Sequence, residues 1–172
     1  MIIEQLTINH LDDFHRWISN KEAVVYSLSA FLPDRDIEWS RQYLEQIISD
    51  HNSWNQVISV DDTHIGFCGL SGLSEVNRCA EYFILIGETE HWNKGFGTDA
   101  GRFVLDYGFS ILGLNRIWLT VSEPNIGAIK SYKKIGFRKE GIMREACCRN
   151  GIFHSKIVMG LLRKEWLNRS KP

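Results

Sequence analysis

Between His91 and Gly101 the chain reads HWNKGFGTDAG, with Gly95 and Gly97 standing just before a helix-forming run. Such a loop can bind phosphate. The first N–H groups of a helix lack backbone partners, and the aligned peptide dipoles leave a partial positive charge there. Glycine lets the backbone come close to the phosphate oxygens. Asn93 through Thr98 can thus present consecutive amides to a diphosphate, and Lys94 adds a cation. Taken alone, Gly95-Phe96-Gly97-Thr98-Asp99-Ala100 has the form of a dinucleotide fingerprint. A glycine-eased helix start would read the same way.

The elements around the loop separate these readings. Ile2 to Ile8 reads as a short strand, and Leu11, Phe14, Trp17 and Ile18 then recur at helical spacing, with Asn9 or Asp12 as cap. Leu32-Pro33-Asp34 breaks the chain before a second helix from about Asp36 to Ser49. Val57–Val60 and Ile65–Leu70 flank Asp61-Asp62-Thr63 as a hairpin, and 80–86 forms a third strand of that meander. After the loop, Phe96, Ala100, Phe103, Val104, Tyr107 and Ile111 keep helical period up to Gly113. Arg116–Ser122 is a strand, Asn125 opens a short helix that Gly136 closes, and two strands follow near 137–145 and 154–161. A last helical turn starts near Arg163. The sum is an α+β fold with a mainly antiparallel sheet and about four helices. A dinucleotide fold begins its glycines almost at the strand end and repeats parallel units. Here Gly87 to Lys94 intervene and the preceding strands form a meander, so a nicotinamide site is disfavoured.

The bulk numbers agree with a folded, enzyme-sized unit. The 172 residues are 44% hydrophobic and 24% charged, with net charge −1. That suggests one domain over residues 1–172, with no nucleic-acid partner. No apolar run is long enough to cross a bilayer, and no signal peptide is evident, so the cytoplasm is the expected compartment. Cys68, Cys79, Cys147 and Cys148 form no C-x-x-C pair and are expected as buried or half-buried thiols. The six histidines show no H-E-x-x-H cluster, and no structural metal is expected. Acidic residues dominate positions 1–51, whereas 130–144 carries Lys130, Lys133, Lys134, Arg138, Lys139 and Arg144 against Glu140 alone. This polarity suits a cationic substrate and an anionic cofactor; two solvated faces would look the same.

AEYFILIG, then HWNKGFGTDAGRFVLDYGF, then NRIWLTVSEPNIGAIKSYKKIGF together resemble the GNAT superfamily of N-acetyltransferases. The family loop, Gln/Arg-x-x-Gly-x-Gly/Ala, lies between a fourth strand and a long helix and binds the pyrophosphate of acetyl-CoA. Trp92-Asn93-Lys94-Gly95-Phe96-Gly97 occupies that frame, with Trp92 departing from its first letter. Asn125, Ala128, Tyr132, Lys133, Lys134, Gly136 and Phe137 fit the downstream pattern. In character the chain is most like the spermidine and ribosomal-protein N-terminal acetyltransferases.

The resemblance implies a GNAT-like sheet splayed at its fourth strand and direct acetyl transfer from acetyl-CoA to a primary amine. A polyamine or protein N-terminus is the favoured acceptor, an amino sugar or aminoglycoside an open one. It implies that Ile84, Leu85 and Ile86 pair with the pantetheine arm beside a bulge, and that Trp92 to Thr98, Asn125, Ala128 and Lys133 hold the coenzyme. Acyl transfer to an ammonium near pKa 10.4 needs a base, donors for the carbonyl oxygen and a proton for the thiolate. Glu81 is the implied base, acting through water, with Glu75 and Glu88 behind it, and Tyr132 the implied acid. Asn125 can also simply cap its helix. Tyr26, Phe31 and Glu75 are candidates for the acceptor pocket, while Trp17, Trp39 and Trp54 belong to the core. An exposed terminal strand would suit a homodimer. The competing function is a non-catalytic acyl-CoA-binding or regulatory domain.

Overall fold

The computed structural model describes residues 1–26 and 35–170. Seven strands form one sheet: β1 (Ile2–Gln5), β2 (Trp54–Val60), β3 (Thr63–Ser74), β4 (Cys79–Ile86), β5 (Arg116–Ser122), β6 (Arg138–Arg149) and β7 (Ile152–Leu162). Their order is β1-β2-β3-β4-β5-β7-β6, and every neighbouring pair is antiparallel except β4–β5. A parallel pair needs a crossover. Here it is α4 (Phe96–Asp106), which continues as a π-helical turn over Tyr107–Ile111. The sequence predicts plain helix there. Gly108 lies in that turn, and a Cβ on it would meet Ile117 Cδ1 at 2.7 Å, so the wider turn lies hard against β5.

The sheet has helices on both faces. α4 and α5 (Ile126–Ile135) cover one, where Ala100, Val104, Phe109 and Ile135 meet Ile58, Leu70, Tyr82 and Ile117. α1 (Leu11–Ser19), α2 (Lys21–Val24) and α3 (Ile37–Ser49) belong to the other, where Phe14, Trp17 and Leu44 meet Val57, Phe67 and Leu85. Successive strand side chains point to opposite faces. Along β4, accordingly, Ala80, Tyr82, Ile84 and Ile86 join the first core and Phe83 and Leu85 the second.

Several boundaries differ from the sequence reading. Ile8 ends no strand; it starts a 3-10 turn over Ile8–His10. Neither Asn9 nor Asp12 caps α1, whose N-cap is His10. Thr7 N–H donates to His10 Nδ1 at 3.0 Å, and this local bond turns the chain early. The short α2 escapes the periodicity argument because Asn20 makes it, accepting from the N–H groups of Glu22 and Ala23. α6 (Arg163–Leu167) is the expected final turn. β6 runs on past residue 145 by absorbing irregularities near Gly141 and between Met143 and Cys147. The break at Leu32-Pro33-Asp34 lies outside the described residues. Cys68 and Cys147 are buried and Cys79 half-buried, but Cys148 is exposed, because the strand's alternation turns it outward. No described helix is long and apolar enough to cross a membrane.

Candidate active site

The parallel ladder between β4 and β5 is three pairs long: Cys79 with Arg116, Ala80 with Ile117, Glu81 with Trp118. Beyond it β4 stays on β3 up to Ile86, and β5 stays on β7 up to Ser122. The sheet is therefore splayed at its fourth strand. The bulge expected at Ile84–Ile86 is not there, since β3–β4 register is unbroken from Ser71–Glu81 to Gly66–Ile86. The irregularity sits at the other end, between Ser71 and Ser74. The opening comes from two strands holding different neighbours, and it leaves the β5-facing edge of Ile84–Ile86 without a strand partner.

On the α4–α5 side the splay opens into a cavity of about 760 Å³. Both helices point their N-terminal ends into it: Gly95, Phe96, Gly97 and Thr98 line it from α4, and Asn125 to Ala128 from α5. Asn93 and Gly95 take left-handed backbone, φ 59 and 95. A Cβ on Gly95 would meet nothing within 4 Å, and one on Gly97 would only touch Ile84 Cδ1 at 3.8 Å and Ile86 Cγ1 at 3.9 Å. The glycines therefore face open space, which a Cβ would begin to fill. Thr98 Oγ1 and Ser131 Oγ, 2.9 Å apart, tie the two helices together. The Trp92 indole N–H donates to the Ile86 carbonyl at 2.9 Å. Trp92 thus fastens the loop to the end of β4, where the family pattern would put a longer polar side chain.

Three expected coenzyme residues fall outside this cavity. Leu85 points to the opposite face, by strand alternation. Lys94 and Lys133 do not line it, whereas Lys130 and Lys134 do. These two are four residues apart and share a helix face; Lys133 is rotated off it. The sequence signal was the basic run at 130–144, which names the cluster but not the face.

On the other side lies a second cavity of about 410 Å³. Glu81, Asp50, Tyr43, Lys156 and Arg149 are among its walls. Tyr26, Ile84, Asn125 and Tyr132 line both cavities, so the two meet at the splay. Tyr132 is 9% exposed, with its ring edge-on to Tyr82 at 6.0 Å. Burial pushes its phenol well above the ordinary range, so it holds its proton. Among the described residues its hydroxyl has no hydrogen-bond partner. Asn125 does cap α5, accepting from Ala128 N–H at 3.2 Å, and it still borders both cavities. Both of its expected jobs are geometrically open.

Glu81 is half-buried. Burial raises its carboxyl above the ordinary value, and Lys156 pulls it partly back. Nearby Arg78 does not pair with it, donating instead to the Gly113 carbonyl at 3.0 and 2.6 Å. Neither reserve carboxylate reaches the cavities. Glu88 accepts from Arg16 Nε at 2.7 Å and Trp17 Nε1 at 3.1 Å. Glu75 sits on the exposed β3–β4 turn, beyond the closed end of the β4–β5 ladder. Phe31 lies outside the described residues. Of the tryptophans, Trp17 is fully buried, Trp39 packs on Tyr43, and Trp54 stacks on Tyr107 at 4.0 Å. Sequence reasoning missed His91, Lys130, Ser131 and Lys134 on one cavity, and Arg149 and Lys156 on the other.

The model of the acetyltransferase (GNAT) domain family matches residues 1–138. The spermidine N(1)-acetyltransferase of Escherichia coli (strain K12) is 32% identical over 135 residues, covering 78% of this chain and 72% of that protein. A putative ribosomal N-acetyltransferase, YdaF of Bacillus subtilis, is 29% identical over 167 residues, covering 95% and 86%. The solved structure of a Vibrio cholerae spermidine N-acetyltransferase in complex with CoA and spermine superposes with a TM-score of 0.87 at 27% identity, over 97% of this chain and 98% of that one.

Proposed function

The chain belongs to the GNAT acetyltransferase family, and on that premise we propose that it moves the acetyl group of acetyl-CoA directly onto a primary amine, with spermidine the favoured acceptor. The observation that carries this reading is the meeting of two cavities at Tyr132 and Asn125. Direct transfer needs both reactants held at one place, and fixing them there accounts for much of the acceleration.

The larger cavity suits coenzyme A. Free N–H groups at the start of α4, the Gly127 N–H at the start of α5 and the ammonium groups of Lys130 and Lys134 face a diphosphate. The edge of Ile84–Ile86 that no described strand covers offers backbone groups to an amide-bearing pantetheine arm, apart from the Ile86 carbonyl held by Trp92. When bound, acetyl-CoA supplies the activated thioester; the rest falls to the chain. Glu81 takes a proton from the incoming ammonium, directly or through one water, and its raised pKa makes it a better base than an exposed carboxylate. Backbone N–H groups on the open β4 edge meet the charge that grows on the carbonyl oxygen. The Tyr132 hydroxyl, protonated and without a partner among the described residues, donates to the departing sulfur.

Asp50 and Glu81 give the smaller cavity its affinity for ammonium, and Tyr26 and Tyr43 add aromatic faces. Arg149 and Lys156 on its other wall limit the positive charge it tolerates. Spermidine is therefore expected above the more highly charged spermine. Residues 1–172 act as one unit in this reading. A second copy fits the exposed Ile142, Met143, Ile152 and Phe153 of the β6–β7 hairpin, which makes a homodimer the expected assembly.

The test is thiol release from acetyl-CoA with spermidine, spermine, aminoglycosides, amino sugars and N-terminal peptides. Spermidine should give the highest kcat/KM. Acetyl-CoA binding without turnover on any amine would overturn the reading in favour of a binding domain.

A further inference from the structure

Four elements converge on a pair of imidazoles that line neither cavity. Glu4 comes from β1, His10 from the end of the 3-10 turn, Asp13 from α1 and His64 from the start of β3. His64 Nδ1 lies 2.5 Å from Asp13 Oδ2, and its Nε2 lies 3.4 Å from Glu4 Oε1. His10 Nε2 is 3.9 Å from the same Glu4 oxygen. The two rings meet edge to face, 5.0 Å between centroids.

The hydrogen bond to Asp13 puts a proton on His64 Nδ1. In the neutral ring Nε2 is then a lone pair facing a carboxylate oxygen, which repels it. Something positive between them removes the conflict. One candidate is a second proton; the other is a metal ion, because the ligand atoms of Glu4, His10 and His64 all lie within 4.8 Å of one another. Bonds of about 2.0–2.1 Å place tetrahedral ligand atoms about 3.4 Å apart. The two distances to Glu4, 3.4 and 3.9 Å, are near that spacing, and the two imidazole nitrogens lie within 4.8 Å of each other. The Asp13–His64 contact is also the carboxylate–histidine pairing that orients metal-bound imidazoles. Arg16 holds the other Asp13 oxygen at 2.7 Å, so the orienting group is itself fixed.

We propose that Glu4, His10 and His64 bind one divalent transition ion of the zinc type, with Asp13 positioning His64 and water completing the shell. Two nitrogens and a single carboxylate suit zinc, cobalt or nickel and not magnesium or calcium. His10 must carry its proton on Nδ1 to join. There the Thr7 hydroxyl at 3.2 Å and carbonyl at 3.3 Å replace the Thr7 N–H now bonded to it. The ion would stitch the edge strand β1 to α1 and β3, which makes its role structural. No linear motif announces it, because each ligand sits on a different element.

The experiment uses the chelator-treated full chain without a polyhistidine tag, titrated with Zn2+ and Co2+ at neutral pH. The readouts are Tm and the visible absorption of bound Co2+. Expected are saturable one-to-one uptake, a higher Tm and no response to Mg2+. His64→Gln and Glu4→Gln should each weaken uptake at least about tenfold, and Asp13→Asn by about 10–100-fold. Glu4 is on the edge strand with 49% of its side chain exposed, so its variant should fold even if the His64 variant does not. His51→Gln, at an exposed histidine outside the cluster, should bind like the parent. Absence of saturable uptake overturns the proposal, as does uptake that survives His64→Gln and Glu4→Gln or is lost with His51→Gln.

Discussion

Glu81 and Trp118 form the last rung of the parallel ladder between β4 and β5. The residue at the point where the sheet parts is thus a half-buried carboxylate. Its backbone belongs to the closed sheet and its side chain to the smaller cavity. In the proposed reaction, a group fixed this way stays close to the amine it would deprotonate.

Replacing that carboxylate should separate activity from stability. Burial raises the Glu81 pKa, so the folded state binds this proton more tightly than the unfolded chain does. Stability is therefore lost as pH rises from the ordinary 4.5 through the raised value. Glu81→Gln removes that loss, and its Tm at pH 8 should be no lower than the parent's. Its turnover should fall about 10²–10⁴-fold. The acidic limb of the parent's rate profile, set by this group, should disappear.

Tyr132→Phe should lower kcat about 10²-fold or more and leave acetyl-CoA affinity close to the parent's. The ring still packs on Tyr82 and Phe137, so Tm should barely move. Stopped-flow thiol release and equilibrium binding read the two quantities separately. Unchanged turnover would remove the acid role from this residue.

The lysines of α5 discriminate structure from sequence. Lys130→Glu and Lys134→Glu face the larger cavity and should each raise the KM for acetyl-CoA severalfold, more at low salt than at high. Lys133→Glu carries the same charge change outside that cavity and should leave KM nearly unchanged. Steady-state kinetics at two ionic strengths decides between them.

Gly97 gives a cleaner test of the cradle than Gly95. At φ 95 an aspartate on Gly95 would strain the backbone, mixing two effects. A Cβ on Gly97 makes only ordinary contacts with Ile84 and Ile86. Gly97→Asp should keep the fold, by circular dichroism and Tm, and weaken acetyl-CoA binding at least about tenfold. Retained affinity would move the diphosphate elsewhere.

Much of this protein is local chemistry, and local chemistry is written in the sequence. The strands, the long helices, the glycine loop and the Asn125 cap follow from period, capping and spacing within a few residues of each other, and the resemblance adds Tyr132. Which face of a strand or helix looks into which cavity does not. The resemblance names Ile84, Leu85 and Ile86 together, but strand alternation turns the Leu85 side chain to the opposite core. The family pattern points to Lys133, next to Tyr132, but helix rotation gives the cavity to Lys130 and Lys134. Glu88, a reserve base by sequence, is held by Arg16 and Trp17 from a helix far away in the chain. The sequence by itself determined the longer elements and the glycine loop. Only the tertiary structure decided that β4 and β5 part after Glu81, and that Glu4, His10 and His64 share a corner. Those relations depend on packing between segments far apart in the chain, and no short-range pattern encodes them.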